Sequence, residues 1–296
     1  MPYIGEISAL ITAVLWAGTA IVFTEATKLV GSYVVNITRL ILATSYLVFI
    51  ILLFNLNYEI SFQQIYLLGL SGIIGLAFGD GFLFKSFQYI GARLSMLVMT
   101  LSPPIAAILA YIYLGEQLSN FGILGIVITI SGVSIVVFKR SEQPTSDYKK
   151  NNLGYLFAFL GAIGQAVNLI FAKEAFQLGD INVFVATFYR MVPSIPFMYL
   201  LGLLIRKKRN SITILKTESK ALRYIIVGSV IGPFLGITFS LIAISNTYVG
   251  IASTLMATVP IVMLPIVVLY YKEKLSAISI IGAFVAIIGI AILFLY

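Results

Sequence analysis

The sequence predicts an all-α, polytopic membrane protein in which ten transmembrane helices form two inverted five-helix repeats. Three features of the 296 residues carry this prediction. The composition is 60% apolar and only 10% charged, with a mean hydropathy of +1.05, whereas a soluble domain carries about 25% charged residues. The apolar residues fall into ten runs, each close to the roughly 20 residues a helix needs to cross about 30 Å of hydrocarbon. The second half of the chain also repeats the first.

The runs place spans at 4–26, 34–56, 65–90, 94–114, 121–138, 153–176, 183–205, 224–244, 250–271 and 277–295. They are long and continuous rather than strictly alternating, which argues against a membrane β-barrel. The N-terminus lacks the basic segment of a signal peptide, so the first run reads as a retained span. Most breaks are short, such as Gly115-Glu116-Gln117-Leu118-Ser119 and Lys272-Glu273-Lys274-Leu275-Ser276. The two long breaks, 139–152 and 206–223, are too polar for lipid and read as solvated loops. The expected organisation is therefore a first repeat at 1–140, a linker loop at 141–152 and a second repeat at 153–296.

The repeat is legible in prolines, glycines and charges rather than in apolar text alone. An offset of 157 pairs Glu116 with Glu273, Pro103 with Pro260, Gly75 and Gly79 with Gly232 and Gly236, and Gly125 and Gly132 with Gly282 and Gly289. Nearer the front a smaller offset pairs Gly5 with Gly154, Glu25 with Glu174 and Arg39 with Arg190. Each half holds an odd number of spans, so the second copy enters the membrane in the opposite sense. That is an inverted-topology repeat, the architecture of alternating access around a midplane site. Loops after the odd-numbered spans hold nearly all the Lys and Arg, including Lys28, Arg93, Lys139, Arg140 and Arg206 to Arg209. By the positive-inside rule those loops are cytoplasmic and both termini lie outside a cell-membrane protein.

Composition also excludes chemistry. With no cysteine and no histidine, thiolate nucleophiles, disulfides, imidazole-ligated metals and a Ser-His-Asp triad are absent. No cofactor is expected. Gly79-Asp80-Gly81 lies inside an apolar run with no strand before it, so it is not a dinucleotide fingerprint, and no Walker A pattern is present. The net charge of +8 reflects loops next to membrane spans, so nucleic acid is not an expected partner. The lipid bilayer, a small-molecule substrate and a proton are, with the protein a monomer or homodimer.

The motifs Gly79-Asp80-Gly81-Phe82-Leu83-Phe84, Tyr89-Ile90-Gly91-Ala92, Leu101-Ser102-Pro103-Pro104 and Leu114-Gly115-Glu116-Gln117-Leu118 resemble the EamA-type branch of the drug/metabolite transporter superfamily. A weaker copy runs through Gly250, Val259-Pro260 and Lys272-Glu273-Lys274-Leu275. The resemblance implies a secondary carrier, often an exporter of amino acids or other small metabolites. The competing classes are a membrane enzyme or lipid-modifying protein, which the absence of a carboxylate cluster disfavours, and a channel, for which no ring of like charges is visible.

Asp80 stands mid-span, where a carboxylate is costly and faces protein or a wet cavity. It reads either as a proton or cation relay that also binds substrate, or as a structural carboxyl that is neutral or paired with Lys85. Trp16 and Thr19 in the first span correspond to Gln165 and Asn168 in the sixth. These four read either as cavity lining or, for the two amides, as glue between helices. Phe84, from the quoted motif, joins them as a substrate contact. Arg39 and Arg190, early in the second and seventh spans, read either as an anion clamp with one gate toward each face or as side chains snorkelling to headgroups. Tyr189 is an aromatic candidate beside Arg190. Glu116 and Glu273 read as helix-dipole partners that maintain the fold. The glycine stripes Gly228-Gly232-Gly236 and Gly75-Gly79 favour close helix contact. Pro103, Pro104, Pro193, Pro196, Pro233, Pro260 and Pro265 interrupt spans and read as hinges.

Overall fold

The computed structural model describes residues 3–113, 115, 119–138, 151–204, 218–247, 249–272 and 276–295. Glu116, Glu273, most of the 141–152 linker and the cationic loop residues Lys139, Arg140 and Arg206 to Arg209 lie outside the described residues. Among the described residues the chain is helical with no strand. The first half runs α1 (Ile4–Val30), α2 (Ser32–Leu53), α3 (Phe62–Gly72), a π-helical segment (Ile73–Gly79), α4 (Asp80–Met99), α5 (Ser102–Tyr113) and α6 (Asn120–Phe138). The second half runs α7 (Asn152–Gln177), α8 (Val183–Leu204), α9 (Ser219–Ser229), a second π-helical segment (Val230–Gly236), α10 (Ile237–Asn246), α11 (Val249–Met256), α12 (Val259–Tyr271) and α13 (Ala277–Leu295).

Six helical stretches are long and apolar enough to cross a bilayer, and the shorter apolar helices are α5, Asn120–Ile135, α12 and Ala277–Ile292. The outward faces are themselves apolar: Leu269 is 80% exposed and Phe49 63%, a surface suited to lipid. The inward faces use small residues. Ala9, Ala13, Ala17 and Ala20 line the buried stripe of α1, which lets neighbouring backbones approach.

Several spans differ in detail from the sequence reading. The third and fourth merge into one helical run, Phe62–Met99, bent at Gly91, whose φ of 74° and ψ of 172° suit glycine alone. The run starts earlier than the apolar text because Ser61 and Gln64 form a reciprocal capping box. Span four then breaks at Thr100 and Leu101, and span nine breaks at the repeat-related Ala257 and Thr258. Pro103 and Pro104, like Pro260, fall in the first turn of the helix that follows, where a missing N–H costs nothing. Pro193, Pro196 and Pro265 do not interrupt their helices. The two π-helical segments, Ile73–Gly79 and Val230–Gly236, are also related by the offset of 157, so the repeat extends to a rare backbone conformation.

The halves interlock reciprocally. An added Cβ at Gly5 would meet Asn246 and Thr247, and one at Gly154 would meet the mates Tyr89 and Ile90. Gly232 faces Thr19 as Gly75 faces Asn168, and Gly236 faces Trp16 as Gly79 faces Gly164 and Gln165. The first helix of each half thus lies on the π-helical segment of the other half. Helices α6 and α13 form a second seam. Gly132 abuts Ala286 and Gly282, while Gly289 abuts Thr129 and Gly125, the self-complementary pattern of a two-fold contact.

Candidate functional site

Where the halves meet, a cavity of about 1050 Å³, its open mouth included, is bounded by α1, α2, α4, α5, α7, α8 and α10 to α12 together with both π-helical segments. A π turn disrupts the regular ladder and leaves carbonyls for other donors. Asn36 Nδ2 donates to Leu76 O at 3.1 Å and Ala77 O at 3.3 Å. Gln165 Nε2 reaches Gly75 O at 3.4 Å. The first π-helical segment therefore binds α2 and α7 and ends directly at Asp80, the first residue of α4.

Asp80 anchors a buried polar network. Arg39 Nη2 donates to its Oδ2 at 2.5 Å, and Gln165 Nε2 donates to its Oδ1 at 2.7 Å. Arg39 Nε is held by Asn36 Oδ1 at 2.9 Å, and its guanidinium carbon lies 4.7 Å from the centre of the Phe84 ring. Asn168 Nδ2 donates to Gln165 Oε1 at 2.7 Å, and Asn168 Oδ1 accepts from Arg190 Nη2 at 2.6 Å. A chain of contacts thus runs from Arg39 through Asp80, Gln165 and Asn168 to Arg190, crossing from one half to the other.

Much of the remaining lining is apolar. Trp16, Phe23, Phe84, Phe87, Met96 and Met99 belong to it, with Met256 from the second half. Backbone symmetry is kept while side-chain chemistry is not: Trp16 and Thr19 stand where the other half has Gln165 and Asn168, and Ile237 stands where the first half has Asp80. The charged side chains Arg39, Asp80 and Arg190 share the chamber with this apolar lining.

Trp16, Thr19, Arg39, Asp80, Phe84, Gln165, Asn168 and Arg190 all border this cavity. Tyr189 does not. Its hydroxyl donates to Tyr58 O at 3.0 Å in the loop after α2, because consecutive helical side chains point about 100° apart and Arg190 takes the inward direction. Asp80 is paired with Arg39 rather than Lys85, whose ammonium sits 5.4 Å from the centre of the Tyr89 ring. Neither arginine snorkels, since each is 3% exposed, and they converge on one chamber instead of standing at separate faces. Glu25 pairs with Lys28 at 2.9 Å. Lys173 donates to Ile244 O at 3.2 Å.

Sequence reasoning missed Asn36, which positions both Arg39 and the π-helical carbonyls. A polar amide in an apolar run, three residues before an arginine and on the same helical face, was the available signal. Phe23 and the methionine wall carried no signal beyond their apolarity.

A family model described as the EamA-like transporter family matches residues 3–138 and 152–295. Comparison with curated protein sequences yields no match. One crystal structure, described only as that of a protein, shares the fold at a TM-score of 0.71 and 14% identity, covering 98% of this chain and 96% of the other.

Proposed function

We propose that this chain, which belongs to the EamA-like transporter family, is a secondary carrier that moves a small amphipathic metabolite by alternating access. Export of an amino acid or a related solute is the leading reading within that class. Ten spans thread the cell membrane as two repeats, 1–140 and 153–296, running in opposite senses with both termini outside. The observation that supports this most is the pairing of cavity walls. Thr100 and Pro103 border the chamber from one half, and their mates Ala257 and Pro260 border it from the other.

The mechanism follows from that pairing. Two similar halves in opposite orientations exchange conformations at little net cost, so a state open to one side has a partner state open to the other. The helix breaks at Thr100–Leu101 and Ala257–Thr258 are the places where the flanking helices re-aim without breaking a continuous hydrogen-bond ladder. Trp16, Phe84 and Thr19 hold the apolar body of the solute, and Gln165, Asn168 and Arg190 hold its polar group. Arg39 positions Asp80, the group through which a proton gradient couples.

Proteoliposomes containing the purified chain and loaded with a metabolite mixture test the carrier reading. A carrier gives saturable uptake of label that is accelerated by unlabelled solute on the far side. Flux that rises linearly with concentration and ignores the far side contradicts it and favours a pore.

A further inference from the structure

We infer that the solute held in this cavity carries an anionic group, a carboxylate or its equivalent, and that Arg190 receives it. The inference deepens the carrier reading and rests on it. Among the described residues three charged side chains border the chamber, namely Arg39, Arg190 and Asp80, so two guanidiniums share one carboxylate and one positive charge is left over.

The hydrogen bonds show which charge is left over. Both Asp80 oxygens are engaged, one by Arg39 and one by Gln165. Arg39 is engaged by Asp80, by Asn36 and by Leu76 O, and lies over the Phe84 and Phe23 rings. The Arg190 side chain has one hydrogen bond among the described residues, to a neutral amide oxygen of Asn168. Its Nε is buried and has no partner. A guanidinium offers five donors in a rigid fork suited to a carboxylate, and among the described residues Arg190 has no carboxylate hydrogen-bonded to it, Asp80 acting on it only at a distance; a buried cation so weakly paired is disfavoured. Arg190 is also held in place: Ser194 Oγ donates to its carbonyl at 2.7 Å, and Gly72 of α3 packs directly on that carbonyl, leaving no room for a Cβ. The Arg190 backbone is therefore fixed, and its side chain borders the chamber.

The remaining wall sets the rest of the solute. The aromatic and methionine side chains that line the same chamber favour an organic acid with an apolar body over an inorganic anion. The surplus positive charge opposes an ammonium at the same position, so lipophilic amines are rejected.

Thermal stability of the detergent-purified full chain, read against matched compounds, tests this. The set pairs indole-3-acetate with indole-3-acetamide and octanoate with octanamide, and adds tryptamine as the amine. Inorganic phosphate alone and phosphatidylglycerol alone are separate arms for a free anion and a lipid headgroup. The expected result is stabilisation by at least one carboxylate and by neither amide nor amine. Arg190→Gln weakens the apparent affinity of that carboxylate by about tenfold to a hundredfold, and Arg190→Lys, which keeps the charge, retains part of it. Stabilisation by none of the carboxylates, equal stabilisation by amides, amine, phosphate or phosphatidylglycerol, or an unchanged affinity in both Arg190 variants overturns the inference. In the proteoliposome assay, saturable flux confined to neutral or cationic solutes sinks this inference and leaves the carrier intact. Carboxylate binding without any saturable flux sinks the carrier.

Discussion

Removing the two ends of the Asp80–Arg39 pair separately has unequal consequences, and the inequality follows from the charges around them. Asp80→Leu leaves Arg39 and Arg190 facing each other with no carboxylate, a local charge of +2 in place of +1. Breaking a buried pair from one side costs about 3–5 kcal/mol, and Asp80→Leu belongs at the upper end because two buried cations lose their only counterion. Arg39→Met brings the local charge to zero. Asp80 keeps its bond from Gln165 and stays within electrostatic reach of Arg190, so the cost falls to about 1–3 kcal/mol. The double variant Arg39→Met/Asp80→Leu restores the original local charge and is more stable than Asp80→Leu alone. Melting in detergent is the assay, and Asp80→Leu should lower Tm by on the order of 10 °C. Additive losses in the double variant, or an Arg39→Met loss as large as that of Asp80→Leu, would refute the reasoning, since contacting groups must couple.

Other substitutions probe the seams and the coupling group. Gly132→Val and Gly289→Val should each lower stability by about 1–3 kcal/mol, because even a Cβ meets the backbone of the facing helix; one harmless variant would show that the α6–α13 contact is not reciprocal. Gln165→Leu should cost about 1–3 kcal/mol in thermal stability, as it strips one Asp80 oxygen of its donor and the Asn168 amide of one of its acceptors; full stability would mean that the two halves are not tied there. Asp80→Asn, assayed in proteoliposomes with and without a pH gradient, should retain counterflow while losing gradient-driven accumulation; accumulation that still follows the gradient removes Asp80 as the coupling group.

Much of the architecture was legible because its determinants are local and one-dimensional. Span length follows from hydrocarbon thickness, and the repeat shows wherever a glycine or proline has no substitute, as at Gly75 and Gly232. The cavity residues were legible for a related reason: Asp80, Gln165 and Asn168 are polar groups in apolar runs and must face protein. Partner choice was not legible. Asp80 has Lys85 five residues away in sequence, yet its partner Arg39 lies 41 residues away, brought close by the π-helical turn. That turn leaves no simple periodic mark, and neither does the choice of Arg190 over Tyr189 as the inward residue. The prolines were legible in part: Pro103, Pro104 and Pro260 stand directly after breaks within spans four and nine, whereas Pro193 and Pro196 are carried within one helix.

The account stands on two repeats threading the membrane in opposite senses around one chamber, and the natural lack of cysteine makes this directly measurable. Asn120 and Ala277 are repeat mates at the starts of α6 and α13, both exposed. Single variants Asn120→Cys and Ala277→Cys, labelled in intact cells with a membrane-impermeant maleimide before and after permeabilisation, report the side on which each lies. The account predicts labelling at 120 from outside and at 277 only after permeabilisation; labelling of both from the same side would contradict it.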